Sequence, residues 1–157
     1  MITPLLNQND IYLYFDAIRQ IHAKNVLDIG MTLKRCGAVS RQVADSAIDP
    51  SVFLCGICPD MEPLIPVYQI IYQEILTQEK LLKNESKIKE FDLAVLLKPA
   101  KEPFINDVFF TYLKQHAKRM LVDHMTARQL LPYFPKKEVR TIHLDSNLYY
   151  LIRNNRC

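Results

Sequence analysis

Asp28 and Gly30 are the residues of this chain best placed to do chemistry. They close Asn25-Val26-Leu27-Asp28-Ile29-Gly30, a short apolar run that ends on an acid and a glycine. A buried strand ending this way carries a carboxylate to the carboxyl edge of a sheet, where open α/β folds hold their ligands. Asp28 could anchor such a ligand, directly or through water, or it could cap the backbone of the next turn. Lys34-Arg35 come shortly after it. Two cations before a helix start could receive an anion, with backbone amides and the helix dipole converging on it. The ordinary alternative is a solvated loop. No Walker pattern is present, which excludes a P-loop.

Two further groupings could carry chemistry. Cys55-Gly56-Ile57-Cys58 has the spacing of a redox pair or of half a zinc site. No second CxxC or HxxxH completes a four-ligand set, and Cys36 is remote in sequence. A redox CxxC opens a helix, where the dipole lowers the thiol pKa; this one ends a strand and runs into Pro59. Two small, reduced, half-buried thiols are expected, and no metal. Asp123-His124 sets a carboxylate beside an imidazole, a combination able to act as a general base. Neighbours on a strand point to opposite faces, however.

The elements that must position these residues alternate along the chain. Residues 9–22 place Ile11, Phe15, Ile18 and Ile21 at helical spacing, with Asn9 or Asp10 as cap. Val26 to Ile29 reads as the first strand, 37–47 as a helix, and Val52 to Ile57 as a second strand without polar alternation, as expected where both faces are buried. Aromatic and β-branched content over Val67 to Ile75 predicts a third strand. A short helix capped by Thr77 follows. Phe91 to Leu97 is the clearest strand, then a helix over 104–119, a fifth strand over Met120 to Asp123, and a helix capped by Thr126. Glu138 to Leu144 and Leu148 to Ile152, joined at Asp145-Ser146-Asn147, read as an antiparallel hairpin. The sum is an α/β chain: a three-layer, Rossmann-like open sheet, mostly parallel, closed by a C-terminal antiparallel hairpin.

Bulk properties agree with one domain over residues 1–157. The 157 residues are 49% hydrophobic and 24% charged, ordinary for a chain with a single core. The net charge of +3 is too small to imply nucleic acid. His116 with Lys114, Lys118 and Arg119, and Lys136, Lys137, Arg140, Arg153 and Arg156 near the C-terminus, are best read as solvated charge, and Tyr68 and Tyr72 as packing residues. Nucleic-acid binding is therefore disfavoured. No apolar run reaches the roughly 20 residues of a membrane span, so no membrane association is expected. No secretion signal is visible at Met1-Ile2-Thr3-Pro4, which favours the cytoplasm. A small-molecule or protein partner and a homo-oligomeric state are left open.

The order of these motifs resembles the class I, S-adenosylmethionine-dependent methyltransferases. Val26-Leu27-Asp28-Ile29-Gly30 looks like their first-strand motif. Gly56-Ile57-Cys58-Pro59-Asp60-Met61 stands at their second-strand motif, Phe91 to Leu97 at the fourth strand, and the hairpin at the last two. The resemblance covers nearly the whole chain and implies S-adenosylmethionine as cofactor. Its binding positions would be Asp28, Gly30, Thr32 and Lys34 in the first loop, Cys58 at the ribose and Glu74 near the adenine.

The departures from that pattern are specific. Thr32 and Lys34 stand where the family has two further glycines, which let backbone approach a ligand closely. The whole chain has three glycines, Gly30, Gly37 and Gly56. Cys58 stands where active members carry an acid that accepts hydrogen bonds from the ribose hydroxyls, and a thiol accepts weakly. Asp60 could replace it only if the loop curls back. Leu97-Lys98-Pro99 stands in place of the Asn/Asp-Pro-Pro of amino-methylating members, so nothing marks a methyl acceptor. Three functions are consistent with the sequence. They are a methyltransferase-like binding or interaction module with a degenerate cofactor site, an active methyltransferase of unknown acceptor, and an anion- or nucleotide-binding α/β protein using Lys34 and Arg35.

Overall fold

A computed structural model describes residues 8–35, 48–58, 71–99 and 104–155. The strands are β1 (Asn25–Ile29), β2 (Phe53–Cys58), β3 (Glu74–Thr77), β4 (Leu93–Leu96), β5 (Arg119–Asp123), β6 (Lys137–Leu144) and β7 (Asn147–Asn154). They form one seven-stranded sheet in the order β3-β2-β1-β4-β5-β7-β6. The first five run parallel, and β7 is antiparallel to both β5 and β6. Strand order reverses between β1 and β4, which makes their carboxyl ends the topological switch point of the sheet.

The apolar strands fill two layers. Val26, Leu54, Leu93, Val95 and Leu121 face helix α1 (Gln8–Ile21), which lays Ile11, Phe15 and Ile18 on them. Leu27, Ile29, Ile57, Ala94, Leu96 and Val122 face the other way. There they meet helices α2 (Gln78–Leu82), α3 (Asp107–His116) and α4 (His124–Leu130). Capping residues set where helices begin. Thr77 Oγ1 accepts from the Lys80 amide at 3.3 Å, as its position in the sequence predicts. Asn106 Oδ1 accepts from the Phe109 amide at 2.9 Å, so α3 starts later than the periodicity suggests.

Other boundaries move for identifiable reasons. Asp10 is not a cap but a buried residue in the first turn of α1. The third strand begins at Glu74 rather than Val67. Gln73 Oε1 takes the Leu54 amide at 2.7 Å, a side chain standing in for a ladder carbonyl, and Tyr72 turns into the core. Residues 67–70 lie outside the described residues, as do the helix expected over 37–47, Cys36, Tyr68 and Asp60. Helix α4 starts at His124, with Asp123 as its cap. Thr126 donates its hydroxyl to Asp123 Oδ1 at 2.6 Å instead of capping. The hairpin turn is the dipeptide Asp145-Ser146, with Asp145 at φ 54°. Among the described residues, no helix is long and apolar enough to cross a membrane.

Gly56, in the middle of β2, marks a close approach. A Cβ there would stand 2.9 Å from Tyr72 Cδ1 and 3.1 Å from Met31 Cγ. Overpacking of this kind costs roughly 1–3 kcal/mol. Gly56→Ala should therefore lower the unfolding free energy by that amount, read by circular dichroism as a lower urea midpoint at an unchanged slope.

Candidate functional site at the carboxyl edge of the sheet

Asp28 ends β1 with its side chain fully buried on the α1 layer. Its Oδ1 accepts from the Thr32 amide at 2.7 Å, and Oδ2 accepts from the Tyr72 hydroxyl at 2.7 Å and the Tyr14 hydroxyl at 3.1 Å. Tyr72 in turn accepts from the Leu33 amide at 3.1 Å. The carboxylate thus caps the turn that follows β1 and ties that turn to α1 and to the segment entering β3. Of the two roles open to Asp28 in the sequence, this geometry places it in the capping one. Burial pushes the Asp28 carboxyl above its ordinary value, against the bonds from Thr32 and Tyr72 and the charge of Arg35. Tyr14 and Tyr72 had no sequence signal as ligands of Asp28, since each fits an apolar stripe.

The turn itself is closed. Gly30 has φ +77° and Met31 φ 51°, and a 3-10 turn spans Thr32–Arg35. A left-handed methionine is a strained choice where glycine would be free. Met31, Thr32 and Leu33 are all buried to 1% exposure or less. Lys34 lies within this turn.

Arg35 is also buried, at 5% exposure. Its Nη2 donates to the Leu97 carbonyl and its Nη1 to the Lys98 carbonyl, each at 2.8 Å. A Cβ on Gly30 would lie 3.6 Å from Arg35 Nη2 and 3.5 Å from the Phe104 ring. The guanidinium therefore spans from the end of β1 to the end of β4, across the switch point. Two donors on two carbonyls is a use that Arg suits and Lys does not. This use of Arg35 differs from both readings the sequence left open, the solvated loop and the anion site.

The remaining candidates separate. Cys55 and Cys58 are three residues apart on a strand and so lie on opposite faces, Cys55 in the α2–α3 layer and Cys58 in the α1 layer. They cannot chelate one ion or form one disulfide with each other. Cys58 ends β2 and donates to the Leu76 carbonyl at 3.6 Å. Glu74 stands at the start of β3, opposite Cys55 in register and away from the carboxyl edge. Its Oε1 accepts from Cys55 Sγ at 3.2 Å and Ser86 Oγ at 2.6 Å, and its Oε2 from the Lys87 amide at 3.0 Å. Burial and the bond to Glu74 push the Cys55 thiol far above its ordinary range.

Asp123 and His124 diverge because the strand ends at Asp123 and the helix begins at His124. Asp123 Oδ1 accepts from the Lys98 amide at 3.1 Å, while His124 Nδ1 pairs with the Tyr150 hydroxyl at 2.9 Å. Beside them lies a cavity of about 380 Å³ lined in part by Lys98, Asp123, His124 and Tyr149. Two of its lining residues also meet buried Asp10: Lys98 Nζ lies 3.2 Å from it, and the Tyr149 hydroxyl donates to it at 2.8 Å. His116 is remote from this edge; its Nδ1 meets the Lys89 carbonyl at 2.7 Å and its ring stacks on Tyr112 at 4.2 Å.

No protein-family model and no curated protein matches the chain. Solved structures do. A methyltransferase from Geobacter sulfurreducens superposes with a TM-score of 0.62 at 14% identity, covering 97% of this chain and 81% of that one. The O-methyltransferase from Bacillus cereus, solved in complex with SAH, gives 0.60 at 10%, covering 99% and 84%. An rRNA methylase from Escherichia coli gives 0.55 at 16%, covering 92% and 62%.

Two substitutions probe the local chemistry. Tyr72→Phe leaves the buried Leu33 amide without its acceptor and should cost about 1–3 kcal/mol in urea unfolding. Glu74 gives a pH signature. Burial raises its pKa, but the bonds from Ser86, Lys87 and Cys55 prevail and hold it below 4.5. The unfolded chain then binds a proton that the native state does not, so stability rises with pH through this window. The contribution is present above 4.5 and lost as pH falls through the native value. Glu74→Gln should flatten that part of the stability curve. Asp28, shifted upward, contributes in the opposite sense.

The seven-stranded order and these superpositions give the chain the fold of the class I, S-adenosylmethionine-dependent methyltransferases.

Proposed function

We propose that this chain is a methyltransferase-like domain that works as a binding or interaction module and does not use S-adenosylmethionine for catalysis. One observation carries the reading: the Arg35 guanidinium lies across the β1–β4 switch point and bonds both Leu97 and Lys98 carbonyls. A ligand seated at the switch point meets this side chain first, with Phe104 beside it.

The other cofactor positions support it. Asp28 has three protein donors, Thr32 is buried, and the loop expected to lie open beneath a ligand is folded into a 3-10 turn. Cys58 offers a thiol where the resemblance calls for an acid. Two lost charge-assisted bonds at about 1.5–3 kcal/mol each amount to a hundredfold or more in affinity. Glu74, at the far end of β3, is engaged by Cys55, Ser86 and Lys87. The described residues thus do not fit the cofactor, and no methyl-transfer step is derived. The active-enzyme alternative rests on the fold and on neighbours such as the Bacillus cereus O-methyltransferase solved with SAH.

Calorimetric titration and thermal shift with S-adenosylmethionine and S-adenosylhomocysteine separate the two. No saturable heat and no rise in Tm at millimolar ligand are expected. Micromolar binding of either would overturn the module reading. Cys58→Asp should strengthen any residual binding, and no gain would remove Cys58 from the ribose position.

A further inference from the structure

The Leu97 and Lys98 carbonyls are consecutive acceptors just beyond β4, and Lys98 holds φ 46° there. Arg35 reaches them from the β1 side with two separate nitrogens at equal distances of 2.8 Å. The buried Asp28 carboxylate acts on the same guanidinium through its charge. A planar cation is thus bonded to two carbonyls, within the field of a buried carboxylate, in a place with almost no solvent. These are the requirements of a guanidinium receptor, since buried cations persist only where they are paired and hydrogen-bonded.

We propose that the carboxyl edge beyond β1 and β4 is a guanidinium-binding site that the chain fills with its own Arg35. The inference rests on the module reading above and names what occupies the switch point in the intact chain. Arg35 is delivered by a 3-10 turn of four residues, a short and weak element. A tethered group has an effective concentration in the millimolar range or higher, so solutes rarely displace it. In the intact chain the site is closed. With the Arg35 side chain removed, it takes free guanidinium or the guanidinium of a small molecule.

The test is Arg35→Ala, melted with increasing low-millimolar guanidinium chloride, with sodium chloride and urea as controls. Urea is planar and carries similar donors but no charge. The variant should melt several degrees below the parent, and guanidinium alone should restore part of that loss in a saturable way. The parent should not respond. Equal effects of guanidinium and urea, equal effects on parent and variant, or an unaltered Tm in the variant would each overturn the proposal. If Arg35→Ala does not fold unaided, its refolding yield in guanidinium against urea supplies the same two outcomes. Micromolar binding of S-adenosylmethionine by the parent would defeat the module reading while leaving a guanidinium rescue of the variant intact, so the two failures are distinguishable.

Discussion

The structure turns on a buried carboxylate. Asp28 sits at the end of the central strand with no solvent contact, and the polypeptide must supply what water would have supplied. Three donors do so: a backbone amide from the turn just after β1, a phenol from α1 and a phenol two residues before β3. These come from sequence separations of 4, 14 and 44 residues. One side chain therefore fixes the entry of the first crossover, the seating of the leading helix and the approach to the edge of the parallel sheet. Removing any donor strands a charge or an amide in a low-dielectric interior, where the loss is largest.

The same constraint shapes the carboxyl edge. Because the Thr32 amide must point back at Asp28, the chain cannot run out as an open loop after Gly30. It tightens at once into a 3-10 turn, with Met31 forced to positive φ and its side chain against Gly56. The turn in turn throws Arg35 across to β4. The crest of a fold that generally holds a ligand at its switch point is thereby crossed by the chain's own cation, and Asp28 and Arg35 offset one another's burial. Farther along the edge a cavity opens beside β5 and β7, where lining residues Lys98 and Tyr149 are both held by Asp10.

Much of the fold could be read from the residues because strand burial leaves a plain mark. β1, β2, β4 and β5 are continuous apolar runs, as strands covered on both faces must be. The closing hairpin announces itself by the short polar connection Asp145-Ser146-Asn147 between β-branched segments, of which Asp145-Ser146 form the turn. Thr77 is legible as a cap because its hydroxyl acts within three residues. The third strand starts later than predicted because Val67, Ile70, Ile71 and Ile75 satisfy helix and strand patterns alike, and distant groups set where it begins. Gln73 pairs with Leu54 and Tyr72 with Asp28. Thr126 was misread for a related reason: a hydroxyl near a helix start can accept as a cap or donate to one, and the neighbouring Asp123 decided it.

For the site, the sequence alone determined which groups were available: Asp28 and Gly30 at a strand end, side chains at 32 and 34 in place of glycine, a thiol at 58 and a cation at 35. It could not determine what each would face. Cys55 and Cys58 part to opposite sides of the sheet by simple alternation, which spacing could have foretold. The partners of Asp28, the withdrawal of Glu74 from the carboxyl edge and the path of Arg35 to the β4 carbonyls are different in kind. Most of them depend on groups far apart in sequence being brought to about 3 Å, and only the packing of helices and loops on the assembled sheet sets such distances.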